Sequence, residues 1–111
     1  MSNLEGWRKI GVVGVDSGLL LICDPCYIDS QWKTESEDPK ANFGYNACAK
    51  QISEKKHGQL NYALGHPGLA VVFSPGFGDG TYEVWGLFKD YDTTEENPDI
   101  RIVEVRIKLI P

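Results

Sequence analysis

The residues best suited to chemistry sit in one stretch, Val15 to Ile28, which reads VDSGLLLICDPCYI. Cys23-Asp24-Pro25-Cys26 is a C-x-x-C, a spacing that serves thiol–disulfide exchange when a thiolate is stabilised at a helix N-terminus in a βαβ setting. Zinc requires four soft or imidazole ligands, and Cys23, Cys26 and Cys48 with His57 or His66 supply the types without a standard knuckle spacing. Nucleophilic catalysis would use Cys26, with His66 as base and Asp24 or Asp79 as orienter, if folding brings them within hydrogen-bond reach. Against these stands a plainer expectation. Free cysteine is among the most buried residue types, so Cys23 and Cys26 are expected to fill space while Asp24 ties down a turn.

A second loop, Pro75-Gly76-Phe77-Gly78-Asp79-Gly80, is rich in glycine. Successive backbone N–H groups there can cradle an anion. The loop lacks the Lys-Ser/Thr of a phosphate loop, and the segment after it does not read as a helix. Asp79-Gly80 favours a β-hairpin turn instead. Phe77 at the tip, with Tyr82 and Trp85, would form one wall of a small-ligand pocket. The carboxylates Asp90, Asp92, Glu95, Glu96 and Asp99 miss the register of a calcium loop and are expected to form a solvated, mobile loop.

The strands that must position these residues follow from composition and alternation. Trp7–Val15 is rich in Val and Ile and reads as a strand interrupted by Gly11 and Gly14. Leu19–Ile22 is continuously apolar, as in a strand covered on both faces. Pro25 ends it near Cys23. Residues 29–40 are polar and acidic and read as a loop, with at most one helical turn capped by Asp29 or Ser30. Phe43–Ile52 sets Phe43, Tyr45, Ala47 and Ala49 on one face and reads as a strand. Gln59–Leu64, Leu69–Phe73, Thr81–Phe88 and Val103–Leu109 complete the set, the last with the most regular alternation. Residues 1–6 read as a frayed start.

The 111 residues suit a single β domain, residues 1–111. The expected fold is mainly β: a small, partly open barrel or two-sheet sandwich of about seven antiparallel strands with little or no helix. A chain of this size buries roughly two thirds of its unfolded surface and needs no disulfide or metal to fold. The net charge of −5 disfavours nucleic acid and anionic membrane surfaces as partners. No apolar run approaches the roughly 20 residues of a spanning helix, and MSNLEGWRK lacks a signal-peptide layout. A cytoplasmic location, free thiols at the three cysteines and a monomer or small homo-oligomer are expected.

The combination of VDSG at Val15–Gly18, DPCY at Asp24–Tyr27 and GDGTYEV at Gly78–Val84 resembles a group of small uncharacterised bacterial and bacteriophage proteins with a VDSG…DPCY…GDGxYxV pattern. The resemblance implies a mainly β domain closed by a terminal strand of the Arg101–Leu109 type, and no activity. The expected function is a non-enzymatic binding module for a protein or small molecule, without a cofactor. Its ligand would meet Asp16, Ser17, Asp24, Cys26, Tyr27, Phe77, Asp79 and Tyr82, because rigid strands can hold such loops at one end of a sheet. The rivals are an enzyme centred on Cys26 or Asp24 and a thiol or zinc site on the C-x-x-C.

Overall fold

The computed structural model describes residues 4–33, 42–92, 94 and 96–110. Among them lie six strands and two helices: β1 (Gly6–Val15), β2 (Leu20–Cys23), α1 (Cys26–Gln31), α2 (Tyr45–Lys55), β3 (His57–Asn61), β4 (Pro67–Phe73), β5 (Gly80–Asp90) and β6 (Ile100–Ile107). The protein is mainly β, and its strands form two three-stranded sheets ordered β1-β5-β6 and β2-β4-β3. Neither sheet closes into a barrel. Residues 4–6 are not frayed: Gly6 opens β1, and the Glu5 carboxylate accepts the Asp90 N–H at 3.1 Å. The chain divides into two compact units, residues 15–79 and residues 4–14 with 80–110.

The unit of residues 15–79 has a core of Phe43, Cys48, Leu60, Leu69, Ala70 and Val72, with Leu21, Cys23, Tyr27, Trp32, Ala47 and Ile52 packed around it. β4 lies between β2 and β3, antiparallel to both, with Leu21 and Gly58 opposite Val72, and Cys23 and Leu60 opposite Ala70. These residues face α2. The other face of the sheet shows Ile22 and Val71 to solvent. The apolar run Leu19–Ile22 therefore contains an edge strand whose outer face is covered at Leu20, which is buried, and open at Ile22.

The expected strand over Phe43–Ile52 is a helix. Ala47, Ala49, Lys50 and Gln51 are strong helix formers. The burial of Cys48 with partly covered Ala47 and Ile52 follows a three-to-four residue period, while Tyr45, expected on the inner face, is exposed. Gly58 of β3 permits the close approach of α2, since a Cβ there would collide with the Cβ of Gln51. Lys56 ends the helix in the left-handed conformation (φ 69°), its N–H bonded to the Ile52 carbonyl at 3.2 Å. Residues 26–31 are also helical; of the expected acidic loop, residues 34–40 lie outside the described residues.

In the other unit, β5 pairs antiparallel with β6 and has β1 as its second neighbour. Leu87 stands opposite Glu104 and Phe88 opposite Ile102, so Val103 is an extra residue bulged out of β6. One face carries Ile10, Phe88 and Ile102 around Gly86, with the Arg8 guanidinium 3.8 Å from the Phe88 ring centre. The opposite face is a lattice of cations on rings: Arg106 over Trp7 at 4.3 Å and Lys108 over Trp85 at 5.2 Å, with Lys9 and Glu83 paired at 3.5 Å. The aspartates beyond β5 organise a hydrogen-bonded loop. Asp90 Oδ1 accepts from the N–H groups of Asp92 and Asp99, and the two Asp92 oxygens accept from Thr94 and Asn97. Glu95 lies outside the described residues.

Candidate functional site

The local sequence explains the turn that follows β2. Pro25 presets a helical φ of −60°. The Asp24 carboxylate accepts the Cys26 N–H at 3.0 Å, and the Asp24 carbonyl accepts the Tyr27 N–H at 3.1 Å. Those N–H groups would otherwise lack partners at the start of α1. The Cys26 backbone N–H, then the Cys26 thiol, hold the Asp24 carboxyl below its ordinary range. Asp24 thus ties down the turn, as the plainer sequence reading expects, but the companion expectation fails: Cys26 is exposed and Cys23 half-buried, so neither is a buried filler.

The thiols are arranged against nucleophilic use. Cys26 is exposed, yet desolvation and then the Asp24 carboxylate push its pKa up. Desolvation does the same to Cys23, followed by the Asp24 charge. Burial pushes the core thiol of Cys48 up to about 11. A reactive cysteine needs the opposite shift. His66 does not complete a dyad with Cys26. Its ring stacks on Tyr62, centroids 4.6 Å apart. Among the described residues, no group of three or more His, Cys, Asp or Glu side chains stands at metal-ligand spacing, so Cys23, Cys26, Cys48 and His66 are not gathered into a zinc site.

The loops expected to share one end of the sheet lie at opposite ends. Leu20 at the start of β2 pairs with Phe73 at the end of β4, and Cys23 pairs with Ala70. Asp16, Ser17 and Gly18 therefore share an end with residues 74–79, and a Cβ on Gly18 would stand 3.9 Å from Asp79 Oδ1. Asp24, Cys26, Tyr27 and His66 flank the other end, about 10 Å away along β2. The glycine loop joins β4 to β5, which belong to different sheets, so it is not a hairpin turn. Its Gly78 N–H bonds the Pro75 carbonyl at 2.6 Å rather than contributing to an anion cradle. Phe77 is 86% exposed at the tip. Tyr82 and Trp85 occupy opposite faces of β5, so they do not form one wall; Trp85 shares its face with Glu83, to which its indole N–H donates at 3.0 Å.

A polar cleft beside α2 lies outside the loops that the sequence singles out. It lies beside α2 and β3, has a volume of about 450 Å³, and is lined by Asn42, Asn46, Gln51, Gln59 and Asn61 with Lys50 and Tyr62. Buried Leu60 and half-buried Ala47 contribute its apolar surface. Several walls are fixed. Asn42 Nδ2 donates to the Asn61 carbonyl at 3.1 Å, and Gln59 Nε2 donates to the carbonyls of Leu60 and Ala70. Tyr62 is held by its hydroxyl bond to the Gly68 carbonyl (3.2 Å), by His66 on its ring and by Tyr27 at its edge. Gly68, at φ 131°, leaves the space the Tyr62 ring needs. Among the lining residues there is no carboxylate, and Lys50 is the single cation.

The alternation that sets Gln59, Asn61 and Ala63 against Leu60, Tyr62 and Leu64 is the sequence signal for half of this lining. The other half is hidden when α2 is read as a strand, which keeps Asn46 and Lys50 on one face but about 13 Å apart instead of one helical turn. No family model, curated protein or solved structure matches the chain. Among the described residues no helix is long and apolar enough to cross a membrane.

Proposed function

We propose that the protein is a non-enzymatic binding module whose site is the cleft beside α2 and β3, and that it takes a small, hydroxyl-rich ligand such as a sugar or a sugar acid. The amide lining carries this reading. Asn and Gln side chains combine N–H donors with an acceptor oxygen, which suits hydroxyl groups that donate and accept at once; with Gln59 Nε2 committed to the carbonyls of Leu60 and Ala70, its amide oxygen is the group it offers a ligand. Tyr62 supplies an apolar wall with a polar tip, and Lys50 can meet one carboxylate. The absence of acidic lining residues disfavours a cationic ligand. Such a cleft, open and polar, is expected to bind weakly, on the order of 1 mM for a monosaccharide.

Non-enzymatic action is supported by the thiols: the two of the C-x-x-C, Cys23 and Cys26, and the core thiol of Cys48 are all shifted away from the thiolate. Calorimetric titration with glucuronate and N-acetylglucosamine tests the proposal. Lys50→Ala is expected to weaken glucuronate at least fivefold while leaving N-acetylglucosamine within twofold. Equal loss for both sugars, or no saturable binding by the wild-type chain, contradicts it.

A further inference from the structure

β6 is the last strand of its sheet, so one edge of it carries no strand partner among the described residues. The edge is long and alternates apolar with charged residues: Ile102, Val103 and Val105 are 41–52% exposed, and every residue from Arg101 to Arg106 is exposed. Such an edge is a template for another strand unless charge, proline or a bulge blocks it. The bulge at Val103 interrupts one half of β6 and leaves Glu104–Ile107 regular. The opposite edge of the sheet, β1, is less suited to pairing: it presents adjacent cations at Arg8 and Lys9 and is interrupted by Gly11 and Gly14.

We propose that β6 pairs antiparallel with β6 of a second copy of the chain, on a two-fold axis through Val105. The charges select this register. Centring on Val105 places Glu104 of each chain opposite Arg106 of the other, twice over, on the face where the two already pair within the chain at 3.0 Å. The other face brings Val105 against Val105; regular pairing spans Glu104 to Arg106 of each copy and ends where Ile107 meets the bulged Val103 of the other. Centring on Glu104 or on Arg106 sets like charges against each other, and centring on Val103 sets Ile102 against Glu104. A two-fold pairing is isologous and closes at two copies. The shared stretch is short, so the dimer dissociates on the order of 10–100 μM.

Sedimentation equilibrium of the full chain from about 10 μM to 1 mM tests this. The wild type is expected to pass from the 12.4 kDa chain mass to twice that value. Glu104→Arg and Arg106→Glu alone each place like charges across the axis and are expected to weaken the dimer at least tenfold. Both sites are exposed, so circular dichroism of each variant should match the wild type. An equimolar mixture of the two variants restores opposite charges in every pair and should dimerise as the wild type does. A wild-type chain that stays monomeric at 1 mM, single variants that still dimerise, or a mixture that remains monomeric would each overturn the proposal.

Discussion

The Tyr27 hydroxyl donates to the Tyr62 hydroxyl across 3.4 Å, and the two rings meet edge to face with centroids 5.6 Å apart. Tyr62 in turn donates to the Gly68 carbonyl, so a short relay runs from the start of α1 to the start of β4. Because Tyr27 is the donor, the bond exists only while its phenol is protonated. That bond, ahead of the other causes, pushes the Tyr27 pKa up to about 12. The folded value lies above the ordinary value of about 10, so the stabilisation is complete below pH 10 and is lost as pH rises through 12. Ultraviolet titration of Tyr62→Phe should show one tyrosine fewer and Tyr27 ionising closer to 10. A Tyr27 midpoint unmoved by the substitution would remove Tyr62 as the cause.

Asp24 gives the opposite sign. Its folded pKa is lowered, so its contribution is present above the unfolded value near 4 and is lost as pH falls through the lower folded value. Asp24→Ala should lower the thermal midpoint by a few degrees at pH 7. Asp24→Asn keeps the acceptor for the Cys26 N–H and should lose the acid-limb dependence with a smaller drop. Removing the carboxylate also relieves part of the upward shift on Cys26, so iodoacetamide should label Cys26 severalfold faster in Asp24→Asn than in the wild type. Equal labelling rates would show that the Asp24 charge does not restrain the thiol.

The contact of α2 with β3 predicts two substitutions of opposite effect. Gly58→Ala sets a methyl against the Gln51 Cβ and should destabilise by about 1–3 kcal/mol in urea unfolding. Lys56→Gly relieves a non-glycine residue in the left-handed region at the helix end and should stabilise by about 0.5–1 kcal/mol. A neutral Gly58→Ala would mean that helix and strand separate at little expense, and the cleft they define would then lack a fixed shape.

Most strands were legible because their alternation or β-branched runs are strong; Gly6–Val15, Pro67–Phe73, Gly80–Asp90 and Ile100–Ile107 all fall where those signals lie. Alternation failed at Tyr45–Lys55, where Phe43, Tyr45, Ala47 and Ala49 also satisfy a period of two. Ala47 and Ala49 carry too little apolar signal to show that Cys48 and Ile52 share the covered side. The failure propagated to the site. Asn46 and Lys50 lie one helical turn apart and meet Gln59 and Asn61 only once α2 is laid over Gly58. The turn role of Asp24 was legible because Asp-Pro is a local signal. The separation of Asp24 from Asp79 depends on β2 running between them, a relationship that loop composition does not encode.

Amide-resolved nuclear magnetic resonance of the full chain reads out, residue by residue, the proposed binding of ligand in the amide-lined cleft. With glucuronate added in steps, the side-chain amide signals of Asn46, Gln51 and Asn61 and the backbone signals of residues 59–63 should shift together along one saturable curve, while those of residues 16–18, 24–27 and 76–79 stay in place. Cyclohexanecarboxylate, which keeps the ring and the carboxylate but has no hydroxyls, should shift them far less. Saturable shifts centred on Asp24 and Cys26 or on Gly76–Asp79, or equal responses to the two compounds, would contradict the account.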